Sequence, residues 1–156
     1  MKLLTIPDPT GDVDVLYELA PVEKVSWLSK AAIDGDGSGD SHGDTCFQND
    51  TSLHNNGNPL NSDVDRYIVV PPQVQQRTRG IVLGCIATVT HTKTGLQCAA
   101  VVGDIGPHHK IGEISCATAW ALGLDPSPIH GGTDLHDIYY EIFPGQPAPG
   151  YTLQPA

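Results

Sequence analysis

The sequence VVGDIGPHHKIGEIS, residues 101–115, predicts a strand, then a tight turn, then the start of a helix. An apolar run leads into Asp104, and a Gly-Pro step then breaks it. Downstream, EISCATAWAL (residues 113–122) has apolar positions at helical spacing, and Gly123 is a stop signal. We therefore predict a buried strand that ends at Asp104 and a helix that begins near Glu113.

Upstream of this segment, two apolar and β-branched runs span residues 81–90 and 96–102, with HTKTG between them. Gly95 occupies a turn position in that linker, so the two runs predict a β-hairpin. Several short strands with one or two short helices predict a mainly β (α+β) fold, a small rolled β-barrel for which the double-psi type is one option. The further strand candidates are residues 13–17, 67–70 and 138–143, and residues 25–33 are expected to form a second ordered segment.

The remaining segments are rich in turn-forming residues. Residues 1–12 contain two prolines and predict an N-terminal arm, and residues 144–156 predict a proline-rich tail. Residues 34–62 are dominated by Asp, Gly, Asn and Ser and predict a long ordered loop, which inside a compact domain is usually functional. We expect the 156 residues to form a single domain, 1–156.

The chain has 18 acidic and 8 basic residues and a formal net charge of −10. Such a surface disfavours nucleic acid and anionic membranes as partners. It suits a cationic substrate, because opposite charges steer association. Solubility alone would also explain the charge.

Cysteine usage and the N-terminus bear on the cellular compartment. None of the cysteines forms a CxxC pair, so a zinc ribbon is not predicted. Cys85 and Cys98 flank the predicted hairpin and either form a disulfide or remain buried thiols.

The apolar start of the chain stops at Pro7, too early for a signal peptide. The chain is then cytoplasmic as made, has lost a signal, or is exported by another route. The four cysteines are Cys46, Cys85, Cys98 and Cys116.

Two carboxylates stand at either side of the predicted turn in residues 101–115. Asp104 ends a strand and Glu113 follows after a short loop, so the two side chains are expected to lie close together. Paired carboxylates at a controlled gap are what glycoside hydrolysis needs, one to protonate the leaving oxygen and one to activate water or attack. The alternative is structural, because Asp is common before turns and Glu is favoured in a first helical turn.

The stretch IDGDGSGDSHGD, residues 33–44, resembles the first half of a calcium loop. Position twelve of such a loop is Thr45, where a bidentate Glu belongs, and no helix is expected after it. The alternatives are a flexible acidic turn, or a substrate-binding role in which Asp34 and Asp36 hold substrate amines.

His108 and His109 lie inside the loop between Asp104 and Glu113. There they would contact substrate or tune a carboxyl pKa, or they are inert loop residues. The sequence contains no HExxH, P-loop or GxGxxG pattern, which disfavours zinc hydrolase and nucleotide-binding functions.

Several blocks in a fixed order resemble the chitosanases of glycoside hydrolase family 75, over roughly residues 25–145. The Asp and Glu of the 101–115 block match that family's catalytic pair, which implies that Asp104 and Glu113 are catalytic. The resemblance implies endo-hydrolysis of β-1,4-linked glucosamine with inversion by a single catalytic domain. The matching blocks are IDGDG at 33–37, NDTSL at 49–53, PLN at 59–61, YIVVPP at 67–72, VVGDIGPHHKIGEIS at 101–115 and HDIYYEIFPG at 136–145.

On this interpretation Glu113 is the general acid and Asp104 the general base. The dipole of a helix beginning near Glu113 would instead lower the pKa of that carboxyl and suit a base. We expect a secreted monomer that acts on a cationic amino-sugar polymer such as chitosan, with no cofactor and no metal. The alternatives are a peptidoglycan-active lytic transglycosylase or muramidase, and a non-catalytic carbohydrate-binding or calcium-stabilised module.

Overall fold

The computed structural model describes residues 1–155. Over that range the chain forms ten strands and two short helices. In chain order they are β1 (Lys2–Ile6), β2 (Val13–Glu18), β3 (Lys24–Asp34), β4 (His54–Asn55), β5 (Asn58–Pro59), β6 (Tyr67–Val70), α1 (Pro72–Arg77), β7 (Cys85–His91), β8 (Gln97–Ile105), β9 (Glu113–Ser115), α2 (Cys116–Ala121) and β10 (Thr133–Pro147).

Within the described residues, six strands close into a barrel in the order β3-β10-β7-β8-β6-β9, with β9 returning to β3. The pairs β3–β9 and β6–β8 are parallel, and the other pairs of the ring are antiparallel. β1 and β2 extend the sheet outwards from β3, and β4 and β5 form a small separate hairpin. This architecture confirms the predicted mainly β fold, a small rolled barrel with two short helices.

The barrel interior follows from period-two patterning along the strands. In β7 the residues Cys85, Ala87 and Val89 are buried while the residues between them are only partly covered. Successive strand residues point to opposite faces, so such a pattern fills one side of the sheet. Trp27 of β3 stacks on Tyr140 of β10 with ring centroids 5.0 Å apart, and both side chains are buried.

The predicted hairpin is confirmed, but its disulfide is not. β7 and β8 pair antiparallel with Cys98 opposite Val89, whereas Cys85 lies opposite Pro147 of β10. The two thiols therefore do not face each other. All four cysteines lie within the described residues and are free thiols.

The N-terminal segment is not an arm, contrary to the prediction. Residues Lys2–Ile6 form β1, which pairs antiparallel with β2. Ile6 is fully buried, so this segment belongs to the core. The proline-rich tail is also partly ordered, because β10 continues to Pro147 and Gln154 bridges to Leu83.

The helix predicted from Glu113 begins three residues later, at Cys116. Glu113–Ser115 instead form β9, which lies between β3 and β6 and hydrogen-bonds to both. Tertiary pairing on two sides overrides the local helical pattern. Ser115 then caps α2 by accepting a hydrogen bond from the Thr118 amide.

In the part of the chain that the structure describes, none of the helices is both long enough and apolar enough to span a membrane.

Candidate active site

A cleft of about 710 Å³ opens where β3 and β8 end and β9 begins, and residues of the 34–62 loop form one wall. Among the described residues, six acidic side chains and one basic side chain, Lys110, line it, and no aromatic ring does. The acidic residues are Asp34, Asp36, Asp44, Asp50, Asp104 and Glu113. The structure therefore brings both predicted catalytic residues, and both predicted acidic binding residues, into one cleft.

Asp104 and Glu113 stand on either side of one strand. Val69 of β6 pairs with Asp104 of β8 on one edge and with Glu113 of β9 on the other. Because neighbouring strands lie about 4.8 Å apart, the backbones of the two residues are separated by about 10 Å. Both residues line the same cleft.

Glu113 lies in a largely enclosed position. Burial raises the pKa of its carboxyl group, and the charges of Lys30 and Lys110 offset this only in part. Gly106 allows the close packing: a Cβ there would lie 3.1 Å from the Glu113 Oε2 and 2.9 Å from the Val69 side chain. The predicted influence of a helix dipole on Glu113 is wrong, because the residue belongs to β9.

Asp104 is held by three donors on one oxygen. Its Oδ1 accepts hydrogen bonds from the Ser52 amide at 3.0 Å, the Ser52 hydroxyl at 2.8 Å and the Ile105 amide at 3.0 Å. Leu53 donates its amide to the carbonyl of Gly103, which ties the long loop to β8. Sequence reasoning did not single out Ser52, although it lies within the NDTSL block.

Asp34 ends β3, and Asp36 follows it in the loop. One carboxylate oxygen from each of Asp34, Asp36 and Asp104 lies within 4.8 Å of the other two. Two buried hydroxyl groups fix the backbone that bears these aspartates. Tyr67 donates to the backbone carbonyls of Asp34 and Asp36, and Ser62 donates to the backbone carbonyl of Asp34. Burial, together with the charges of Asp104 and Asp36, raises the pKa of Asp34 to about 8.

His108 and His109 lie outside the residues that line the cleft. Both are exposed, and the His108 carbonyl accepts a hydrogen bond from the Gln73 side chain of α1 at 2.7 Å. That contact directs this part of the loop towards α1. Lys110, two residues further on, does reach the cleft, and sequence reasoning did not single it out.

Within residues 1–155, two groups of side chains have ligand types and spacing that a metal ion could use: the three aspartates of the cleft, and the group of His42, Asp63 and Cys116. The calcium pattern read from residues 33–44 is only partly assembled. Asp40 accepts a hydrogen bond from the His42 amide instead of joining Asp34 and Asp36.

No protein-family model matches this chain, and no curated protein matches it at a significant level.

Proposed function

We propose that this protein is an inverting endo-chitosanase that uses Asp104 and Glu113 as its acid–base pair. The observation that carries the proposal is the placement of the two carboxyl groups on strands separated by one strand, facing one cleft. Inverting glycosidases hold their carboxyl groups about 6.5–9.5 Å apart, with a water molecule between the base and the sugar. The motif order that resembles family 75 supports the same conclusion.

Glu113 is the better candidate for the general acid. Burial raises the pKa of its carboxyl group, which favours the protonated form that a general acid needs. The Glu113 carboxyl donates this proton to the glycosidic oxygen as the bond to the anomeric carbon breaks. The Asp104 carboxylate takes a proton from a water molecule whose oxygen bonds to the opposite face of that carbon. The three hydrogen bonds to Oδ1 hold the Asp104 carboxyl group in one orientation, as this role needs.

The charge of the cleft favours an amino sugar over a neutral glycan. Six carboxyl side chains against one lysine attract ammonium groups. Neutral sugars are commonly bound by stacking on aromatic rings, and none lines the cleft among the described residues. Glucosamine units carry the cationic groups that such a cleft would bind.

The test is hydrolysis of soluble chitosan by the wild type and by Glu113→Gln and Asp104→Asn, followed by reducing ends. We expect each variant to lose about 100-fold or more of kcat while unfolding at the wild-type temperature. Glu18→Gln on β2 and Asp12→Asn in the β1–β2 turn are matched controls, since both residues are exposed. Proton NMR of the first products should show the α-anomer, as inversion requires.

Two results would count against this proposal. If the wild type leaves chitosan intact but releases anhydro products from peptidoglycan, and only the Glu113 variant is inactive, a lytic transglycosylase is the better assignment. That reaction needs one acid, whereas hydrolysis with inversion needs both carboxyls. Binding of chitosan with no turnover would favour a non-catalytic carbohydrate-binding module.

A further inference from the structure

His42, Asp63 and Cys116 form a cluster of metal-ligand types, and none of the three lines the cleft. One ligand atom from each residue lies within 4.8 Å of the other two: a ring nitrogen, a carboxylate oxygen and the thiol sulfur. In a tetrahedral zinc site, bonds of about 2.0–2.3 Å place the ligand atoms roughly 3.3–3.8 Å from one another. Small side-chain movements therefore suffice to bring these three atoms to one ion.

The backbone fixes Asp63 and Cys116 relative to each other. The Ser62 hydroxyl accepts a hydrogen bond from the Cys116 amide at 2.9 Å, and the Ser62 carbonyl accepts one from the Ala117 amide at 2.8 Å. The side-chain oxygen of Asn61 also accepts the Asp63 amide at 3.0 Å. The turn that bears Asp63 is thus attached to the first residues of α2, and two of the ligands are positioned before an ion binds.

His42 reaches this turn from the 34–62 loop. Its Nε2 lies 2.8 Å from Oδ1 and 3.0 Å from Oδ2 of Asp63. The His42 backbone has a φ of 52°, in the left-handed region that residues other than glycine seldom adopt, and its amide donates to the Asp40 carboxylate at 2.8 Å. An ion would replace the hydrogen bond between His42 and Asp63 once their atoms separate by about 0.5 Å.

The Cys116 side chain is buried, but an ion has a route to it. Asp63 and Cys116 both line a groove of about 370 Å³ beside α2. Thiolate and imidazole ligands suit borderline-soft ions such as zinc, whereas calcium and magnesium take oxygen ligands. The mixed ligand set therefore favours zinc, unlike the calcium pattern of residues 33–44.

We propose that His42, Asp63 and Cys116 bind one zinc ion, with water as the fourth ligand. The Cys116 thiol gives its proton to solvent as the sulfur coordinates the ion. The ion joins the long loop to the start of α2, directly after β9, and stabilises one wall of the cleft. The sequence analysis predicted no metal, because ligands from three separate segments leave no local motif. This inference does not depend on the proposed function.

Cobalt(II) added to the metal-free protein with reduced cysteines tests the site. A cobalt–thiolate bond gives a charge-transfer absorption band in the near ultraviolet. We expect one cobalt ion per chain to produce this band and zinc to displace it. His42→Ala and Cys116→Ser should lose the band and should weaken zinc binding by at least about ten-fold.

Two variants are matched controls for this measurement. Cys46→Ser removes the exposed thiol, and His130→Ala removes another surface histidine near a carboxylate, 3.7 Å from Asp125. Both should bind cobalt and zinc as the wild type does.

Thermal unfolding provides a second readout. Unfolding in EDTA checks that His42→Ala and Cys116→Ser are folded without metal. With free zinc at about 100 times the wild-type dissociation constant, the wild-type Tm should rise by about 5–10 °C. The Tm of the two ligand variants should rise by about half as much or less.

Three results would overturn the proposal. The first is a wild type without the thiolate band, or a band that survives in Cys116→Ser and disappears in Cys46→Ser. The second is weak binding of several cobalt ions per chain that His42→Ala does not change, which would mean an adventitious ion only. The third is displacement of cobalt by calcium as effectively as by zinc, which would place the ion on the aspartates of the cleft.

Discussion

Individual carboxyl groups in this cleft differ because of the atoms that surround each one. Burial raises the pKa of Glu113, whereas Asp104 receives three hydrogen bonds on a single oxygen. When the surroundings of two carboxyl groups differ in this way, one can act as an acid and the other as a base at the same pH. Ser52 contributes two of the three bonds to Asp104, although its place in the sequence gives little indication of that role.

Ser52→Ala should lower kcat on chitosan by about ten-fold or more, because a hydrogen bond to a charged group is worth about 1.5–3 kcal/mol. KM should change little, since the Ser52 hydroxyl contacts Asp104 and its neighbour Ile105. Steady-state kinetics check this, with Thr94→Ala in the β7–β8 turn as the control. Unchanged kcat in Ser52→Ala would show that the two remaining amide donors suffice.

At the scale of elements, the cleft depends on short segments that are paired on both sides. β9 has three residues, yet pairing with β3 and β6 places Glu113 one strand away from Asp104. The N-terminal segment fixes the loop that leads into β9 through a hydrogen bond between Asp8 and the Ile111 amide. Asp8 accepts hydrogen bonds from the Lys30 ammonium, the Ile111 amide and both donors of Thr10.

Asp8→Asn should destabilise the protein by about 3 kcal/mol or more at neutral pH, because it leaves the buried Lys30 without its ionic partner. Although burial alone raises it, hydrogen bonds from Lys30, Thr10 and Ile111 lower the pKa of Asp8 to about 2. The stabilisation from this ionised group is therefore complete above about pH 4 and is lost as pH falls towards 2.

Urea unfolding at several pH values measures both effects. The wild type should lose stability between about pH 4 and pH 2 more steeply than Asp8→Asn. Asp14→Asn is the control, because Asp14 is exposed and bonds to the Thr5 hydroxyl on the same outer hairpin. Equal stability of Asp8→Asn and wild type at neutral pH would contradict the structural role given to this ion pair.

For the whole molecule, the net charge of −10 and the acidic side chains of the cleft both attract cations. The summed field draws a polycation towards the cleft, and salt screens exposed charges over about 8–10 Å at physiological ionic strength. Substrate binding should therefore weaken as salt rises, while the enclosed chemistry around Glu113 should be less affected.

Raising sodium chloride from about 0.05 to about 0.5 M should increase KM for chitosan roughly three-fold or more, with kcat little changed. Asp44→Asn should reduce this salt sensitivity, since Asp44 lines the cleft and an asparagine can still accept the Cys46 amide. Asp12→Asn, outside the cleft, should leave it as in the wild type. If salt changed mainly kcat and left KM unaltered, charge would not be the basis of substrate recognition.

Local pattern alone was enough to identify most strands and to place Asp104 and Glu113 at one loop. Two apolar, β-branched runs with Gly95 between them predicted the β7–β8 hairpin. The strand candidates at 13–17, 67–70 and 138–143 each fall within a strand, as does the ordered segment predicted at 25–33. These signals succeed because a strand's buried face and a turn's glycine are properties of neighbouring residues.

Tertiary structure alone decided what surrounds the carboxyl groups. Residues 113–115 have the pattern of a helix start, but pairing to two distant strands makes them β9. Ser52 meets Asp104, and Asp8 meets Lys30, across separations of 52 and 22 residues that no local pattern encodes. The sequence by itself therefore determined which residues stand at the ends of strands, while closure of the barrel determined which of them are joined by hydrogen bonds.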